Sequence, residues 1–108
     1  MIDAPVVRVG SAARRDIDAQ VIWLRGEAGS ETAARLAEAI ASTFAKLASL
    51  PRIGSPIPTK RPELAGLRKW RVGGFPKVLV FYLPLDGGIR VVRVLHAAQN
   101  WLALLERD

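Results

Sequence analysis

Cysteine is absent from the 108-residue chain. That excludes a disulfide framework and a thiolate nucleophile, and it fits a reducing compartment. Histidine occurs once, at His96. One histidine and no cysteine cannot supply the four nitrogen or sulfur ligands of a structural zinc site. Long apolar runs are also missing. Nothing approaches the ~20 consecutive residues that a membrane-spanning helix needs, so no membrane partner is expected. The opening stretch MIDAPVVRVG lacks a basic segment followed by an apolar core. No signal peptide is therefore expected, and a cytoplasmic location is. Anions are scarce in one region in particular. Between Arg52 and Lys77 stand seven cations (Arg52, Lys60, Arg61, Arg68, Lys69, Arg71 and Lys77) and a single anion, Glu63. The rest of the chain carries nine of each sign, so the whole net charge of +6 lies in this quarter of the sequence. So local a field attracts phosphate or an acidic protein, or serves solubility.

Half of the residues are hydrophobic, which excludes a disordered chain. The length suits one domain, residues 1–108, with a single real core. Pro5–Gly10 reads as a short β-branched strand. Ser11 is expected to cap a first helix in which Ala13, Ile17, Val21 and Leu24 share one face, with Trp23 off that stripe. GEAGS (Gly26–Ser30) is expected to break the helix over five residues, with Ser30 capping the next one. The second helix runs from about Glu31 to Leu50 on the stripe Ala33, Leu36, Ile40, Phe44, Leu47, and Pro51 ends it. Pro51–Gly66, with four prolines and two glycines, reads as a connecting loop. Three strands follow. Leu67–Val72 places Arg68, Trp70 and Val72 on one face and Lys69 and Arg71 on the other. Val78–Leu83 is apolar throughout, as in a strand covered on both faces. Ile89–Leu95 is the last. Asp86-Gly87 is a hairpin signal. Gly73-Gly74 lies between strands with no helix start after it, so it reads as a turn and not a phosphate cradle; no cofactor is expected. A short helix or docked tail carries Trp101, Leu104 and Leu105. Strands grouped away from a helical hairpin imply an α+β fold: an N-terminal strand, then the hairpin packed on one face of a small, mostly antiparallel sheet.

The chain resembles the RelE/ParE superfamily of small toxins from bacterial type II toxin–antitoxin modules, on its ParE-like branch. The resemblance runs through AARRDIDAQVIWL and LASLPRIGSPIP. It is most specific in LRKWRVGGFPKVLVFYLPLDGGIRVVRVLHAAQN. That segment has a basic strand, a glycine turn with an aromatic, an aliphatic run ending in Phe81-Tyr82, an acidic-glycine turn and a Val-Leu-His ending. The resemblance implies a cognate acidic, ParD-like antitoxin in a hetero-oligomer. It also implies one of two targets: DNA gyrase, bound without hydrolysis, or ribosome-bound messenger RNA, cut without a metal. No sequence-specific DNA binding by this chain alone is expected.

Residue types weigh those targets. RNA cleavage without a metal needs cations on the scissile phosphate and a group that moves the 2′-hydroxyl proton. Arg68, Arg71, Lys77 and His96 are the candidates. The position matching the strand cation of RelE-like enzymes is Leu79, however, and Ala97, Ala98, Gln99 and Asn100 stand where those enzymes carry a glycine and basic residues. Many ParE-like chains have an arginine and an aspartate where Gln99 and Asn100 stand. The expectation is therefore a gyrase inhibitor with no catalytic residue; the alternatives are a ribonuclease and a degenerate toxin that binds antitoxin only. Trp23, Arg68, Lys69, Arg71, Lys77, Arg90, Arg93 and Trp101 are the expected partner-binding set. Tyr82 reads as core. His96 reads as a strand-end histidine bonded to a nearby carbonyl.

Overall fold

The computed structural model describes residues 4–107; residues 1–3 and 108 of the expected domain lie outside the described residues. The elements are β1 (Val6–Val9), α1 (Ser11–Ala28), α2 (Ser30–Ser49), β2 (Ser55–Pro56), a 3-10 turn (Pro62–Leu64), β3 (Arg68–Val72), β4 (Phe75–Leu85), β5 (Gly88–His96) and α3 (Trp101–Glu106). They form an α+β fold around one five-stranded sheet in the order β1-β5-β4-β3-β2. Only the β1–β5 pairing is parallel; the other three are antiparallel.

Both amphipathic stripes lie where the spacing puts them. Ala13 of α1 and Leu36, Ile40, Phe44 and Leu47 of α2 are buried on one face of the sheet, against Val72, Val80, Tyr82, Ile89, Val91 and Val94. The apolar run of β4 is covered twice. Val78, Val80 and Tyr82 face the helical hairpin, while Leu79, Phe81 and Leu83 face a second cluster with Leu64, Leu67, Leu95 and Leu105. The 3-10 turn and α3 close that second face. Trp101 packs on Phe81 with ring centroids 5.3 Å apart, so it is a core anchor there.

Three local expectations need correction. Neither Ser11 nor Ser30 caps a helix; each is the first helical residue, and Gly10 and Gly29 hold the cap positions without a side-chain bond. Gly10 is still held by the sheet, since its N–H donates to Val91 O at 3.0 Å, so β1 runs directly into α1. The five-residue break shrinks to one residue. Gly26 stays helical, and Gly29 alone, at φ 91°, makes the reversal. That left-handed conformation is open to glycine at little cost. The 51–66 loop also contains structure: Ser55 and Pro56 pair with Lys69 and Arg68 as a two-residue edge strand. A short edge ending in proline resists pairing with another chain.

Tyr82 holds that loop to the sheet. Its hydroxyl donates to Pro51 O (2.8 Å) and accepts from Gly54 N–H (2.9 Å). A Cβ on Gly54 would sit 2.5 Å from the Tyr82 oxygen and 2.9 Å from Lys69 O, which explains a glycine there. Burial pushes the Tyr82 phenol above its ordinary pKa; the Gly54 N–H and Arg68 oppose this in part. Because the folded value is the higher, the unfolded chain releases its proton first. Stability is therefore lost as pH rises from about 10 through the folded pKa. Tyr82 is the chain's only tyrosine, so phenolate absorbance reads this group alone. We expect its alkaline titration midpoint to lie above that of the urea-unfolded chain; coincident midpoints would contradict the buried bonding.

Candidate functional site: an apolar groove beside Trp23

The helical hairpin covers the centre of the sheet and leaves one end of β4 open. There, α1 and the β3–β4 hairpin enclose a groove of about 870 Å³, lined by Trp23, Leu24, Leu36, Phe75, Val78 and His96 among others. Leu24 and Leu36 come from the helical stripes, and Phe75 and Val78 from the start of β4. Trp23, off its stripe, stands at the groove with 62% of its surface exposed, beside Ile22 at 58%. A large exposed aromatic on a concave apolar surface makes this groove a candidate partner site. Lys77, Gln20 and Gln99 supply its polar contribution.

His96 opens onto this groove, but its bonding is not the one expected. Its Nδ1 accepts from Ala98 N–H at 3.0 Å instead of donating to a carbonyl. Gln99 Oε1 accepts from His96 N–H at 2.7 Å, and Asn100 Oδ1 accepts from Ala103 N–H at 3.4 Å to cap α3. The two polar residues standing where ParE-like chains carry charges thus shape the exit from β5.

The expected partner-binding residues do not form one patch. Trp23 and Lys77 line the groove. Arg68 points to the hairpin face, opposite Tyr82, where its guanidinium donates to Arg52 O (3.0 Å) and Gly54 O (2.6 Å) and straps the loop. Lys69 and Arg71, opposite Phe81 and Leu79, point to the other face, and the Lys69 ammonium stands 5.0 Å from the Trp101 ring. Arg90 is exposed on β5, opposite Arg8. Arg93 makes a bidentate pair with Asp16, Nε to Oδ2 at 2.7 Å and an amino nitrogen to Oδ1 at 2.9 Å. That bonding holds its pKa above the usual arginine value. Of the ribonuclease candidates, Lys77 and His96 line the groove, while Arg68 and Arg71 sit on opposite faces of β3. The four do not converge on one phosphate-sized site.

Of the groove-lining residues, the sequence singled out Trp23, Lys77 and His96 as candidates, but not Phe75, Leu24 or Leu36. Phe75 carried a usable signal, as an aromatic directly after a two-glycine turn. Leu24 and Leu36 carried none, since both read as ordinary stripe residues. Among the described residues, no three His, Cys, Asp or Glu side chains group as metal ligands, and no helix is long and apolar enough to cross a membrane.

A search of curated protein sequences returned no significant match. Among solved structures, the fold is similar to a chain of a chromosomal ParDE toxin–antitoxin system from P. aeruginosa. That likeness has a TM-score of 0.68 at 17% identity, over 86% of this chain and 96% of the other, and it speaks for the fold. The family model for the ParE toxin of the type II toxin–antitoxin system parDE matches residues 7–101. The chain belongs to this family of ParE toxins, and that membership implies a cognate antitoxin as its partner.

Proposed function

We propose that this ParE-family chain acts by binding and not by catalysis. It inhibits DNA gyrase through protein–protein contacts in the cytoplasm, and a cognate acidic, ParD-like antitoxin holds it inactive in a hetero-oligomer. The observation that carries this reading is the pairing of an apolar groove, rimmed by exposed Trp23 and Lys77, with ribonuclease candidates Arg68 and Arg71 that point to opposite faces of β3. A groove of this kind takes the apolar face of an amphipathic helix, and acidic residues on that helix would meet Lys77. Arg71, exposed on the other face, is left for further acidic contacts.

The test is to induce the chain alone in a bacterium and follow DNA and protein synthesis separately within minutes. DNA damage and filamentation with translation continuing are expected, and co-expression of the antitoxin should abolish both. Immediate translation arrest with cleaved messages would overturn the proposal and turn attention to Lys77 and His96. No effect on either process would favour the degenerate toxin.

A further inference from the structure

The fold also gathers cations away from the basic strand. Arg15, Arg61, Arg93 and Arg107 stand around a cavity of about 280 Å³ between α1, β5 and α3, with Ala12, Leu104 and Leu105 as its apolar lining. Asp16 is the one anion among the lining residues, and its charge is already engaged. It takes the two bonds from Arg93 and a third, at 3.0 Å, from Val94 N–H. Arg61 donates to the Leu105 and Arg107 carbonyls (3.1 and 2.7 Å) and to Glu63 (3.2 Å). Among the described residues, two acidic groups thus balance two of the four guanidiniums, and no acidic side chain pairs with Arg15 or Arg107.

Two further features add positive potential at the same place. Ala12 belongs to the first turn of α1, and that turn holds no acidic residue and no side-chain cap. The positive end of an 18-residue helix therefore adds to the arginines, with no acidic residue in its first turn to offset it. Arg90, three residues before Arg93 on β5, stands directly opposite Arg8 of β1. A like-charged pair at that spacing is unfavourable by itself and extends the positive potential along the edge. A concave site whose wall carries four cations against one anion focuses a positive field on a counter-ion, and planar guanidiniums match the oxygens of an oxyanion two at a time.

We propose that this cavity is an oxyanion-binding site that takes a phosphate or carboxylate group. It is separate from the Trp23 groove and does not depend on the gyrase reading. The group comes either from a free phosphate or from an acidic side chain presented by a partner.

Amide and arginine Nε resonances of the ¹⁵N-labelled full chain test this. Inorganic phosphate and N-acetylglutamate are titrated in separately at constant ionic strength, with sodium chloride as the reference. Saturable shifts at Ala12, Arg15, Leu105 and Arg93 are expected, and the tighter ligand names the source. The double variant R15A/R107A should bind about tenfold more weakly while the rest of its spectrum stays in place. Shifts that track chloride for both ligands, or an undiminished response in the double variant, would overturn the proposal.

Discussion

Trp23→Ala is expected to weaken the complex with the antitoxin by about 2–4 kcal/mol, roughly 30- to 1,000-fold in Kd. Buried aromatic anchors dominate interfaces of this kind, and Trp23 offers the largest exposed apolar surface on the groove. The fold does not depend on it. The indole lies off the stripe that packs on the sheet, so folding stability should change by less than about 0.5 kcal/mol. Calorimetric titration with the antitoxin, beside a denaturant melt of the toxin alone, separates the two effects. Unchanged affinity would remove the groove from the account. An unfolded variant would show that Trp23 is core after all.

Asp16→Ala is expected to act in the opposite way and cost folding itself about 3 kcal/mol, lowering Tm by roughly 10–20 °C. The reason lies in the shape of the sheet. β1 is four residues long and pairs with β5 only from Gly88 to Val91. Among the described residues, no strand lies beside the outer edge of β5 beyond that point. Side chains take over: Asp16 accepts from Val94 N–H at 3.0 Å, Gln20 Nε2 donates to Val94 O at 2.7 Å, and Gln99 accepts from His96 N–H. Asp16 and Gln20 are one helical turn apart, so one face of α1 stands in for a missing strand. Removing Asp16 leaves a backbone donor and a half-buried guanidinium unpaired together; the two side chains are 12% and 24% exposed. Thermal melts of Asp16→Ala and Asp16→Asn decide the matter. Asparagine keeps an acceptor for Val94 N–H and should recover part of the loss. A melt of Asp16→Ala within a degree or two of the parent would contradict the edge-capping role.

The contrast between Trp23 and Asp16 follows what the sequence could reveal. Periodicity located both helices, the doubly covered β4 strand and the exposed position of Trp23, because each depends on spacing along one element. It could not show that Arg93 would be consumed by Asp16, or Arg68 by the carbonyls of Arg52 and Gly54. Those pairings join residues 77, 16 and 14 positions apart. The charge count had the same limit. It placed the net positive charge between Arg52 and Lys77; the alternation along β3 that sends Arg68 to one face and Lys69 and Arg71 to the other was legible, but the carbonyls that engage Arg68 were not. Folding then assembles a second cluster from Arg15, Arg61, Arg93 and Arg107, which are scattered along the chain. The linker between α1 and α2 was overestimated for a local reason. Two glycines read as equal breakers, but only Gly29 adopts the positive φ that turns the chain.

Inhibition of gyrase is tested most directly by DNA supercoiling with purified gyrase in the presence of the purified chain, with and without its antitoxin. The chain alone is expected to inhibit supercoiling, the antitoxin to restore it, and Trp23→Ala to lose the restoration before it loses the inhibition. Gyrase that stays fully active, while ribosome-bound messenger is cut by the same preparation, would contradict gyrase as the target.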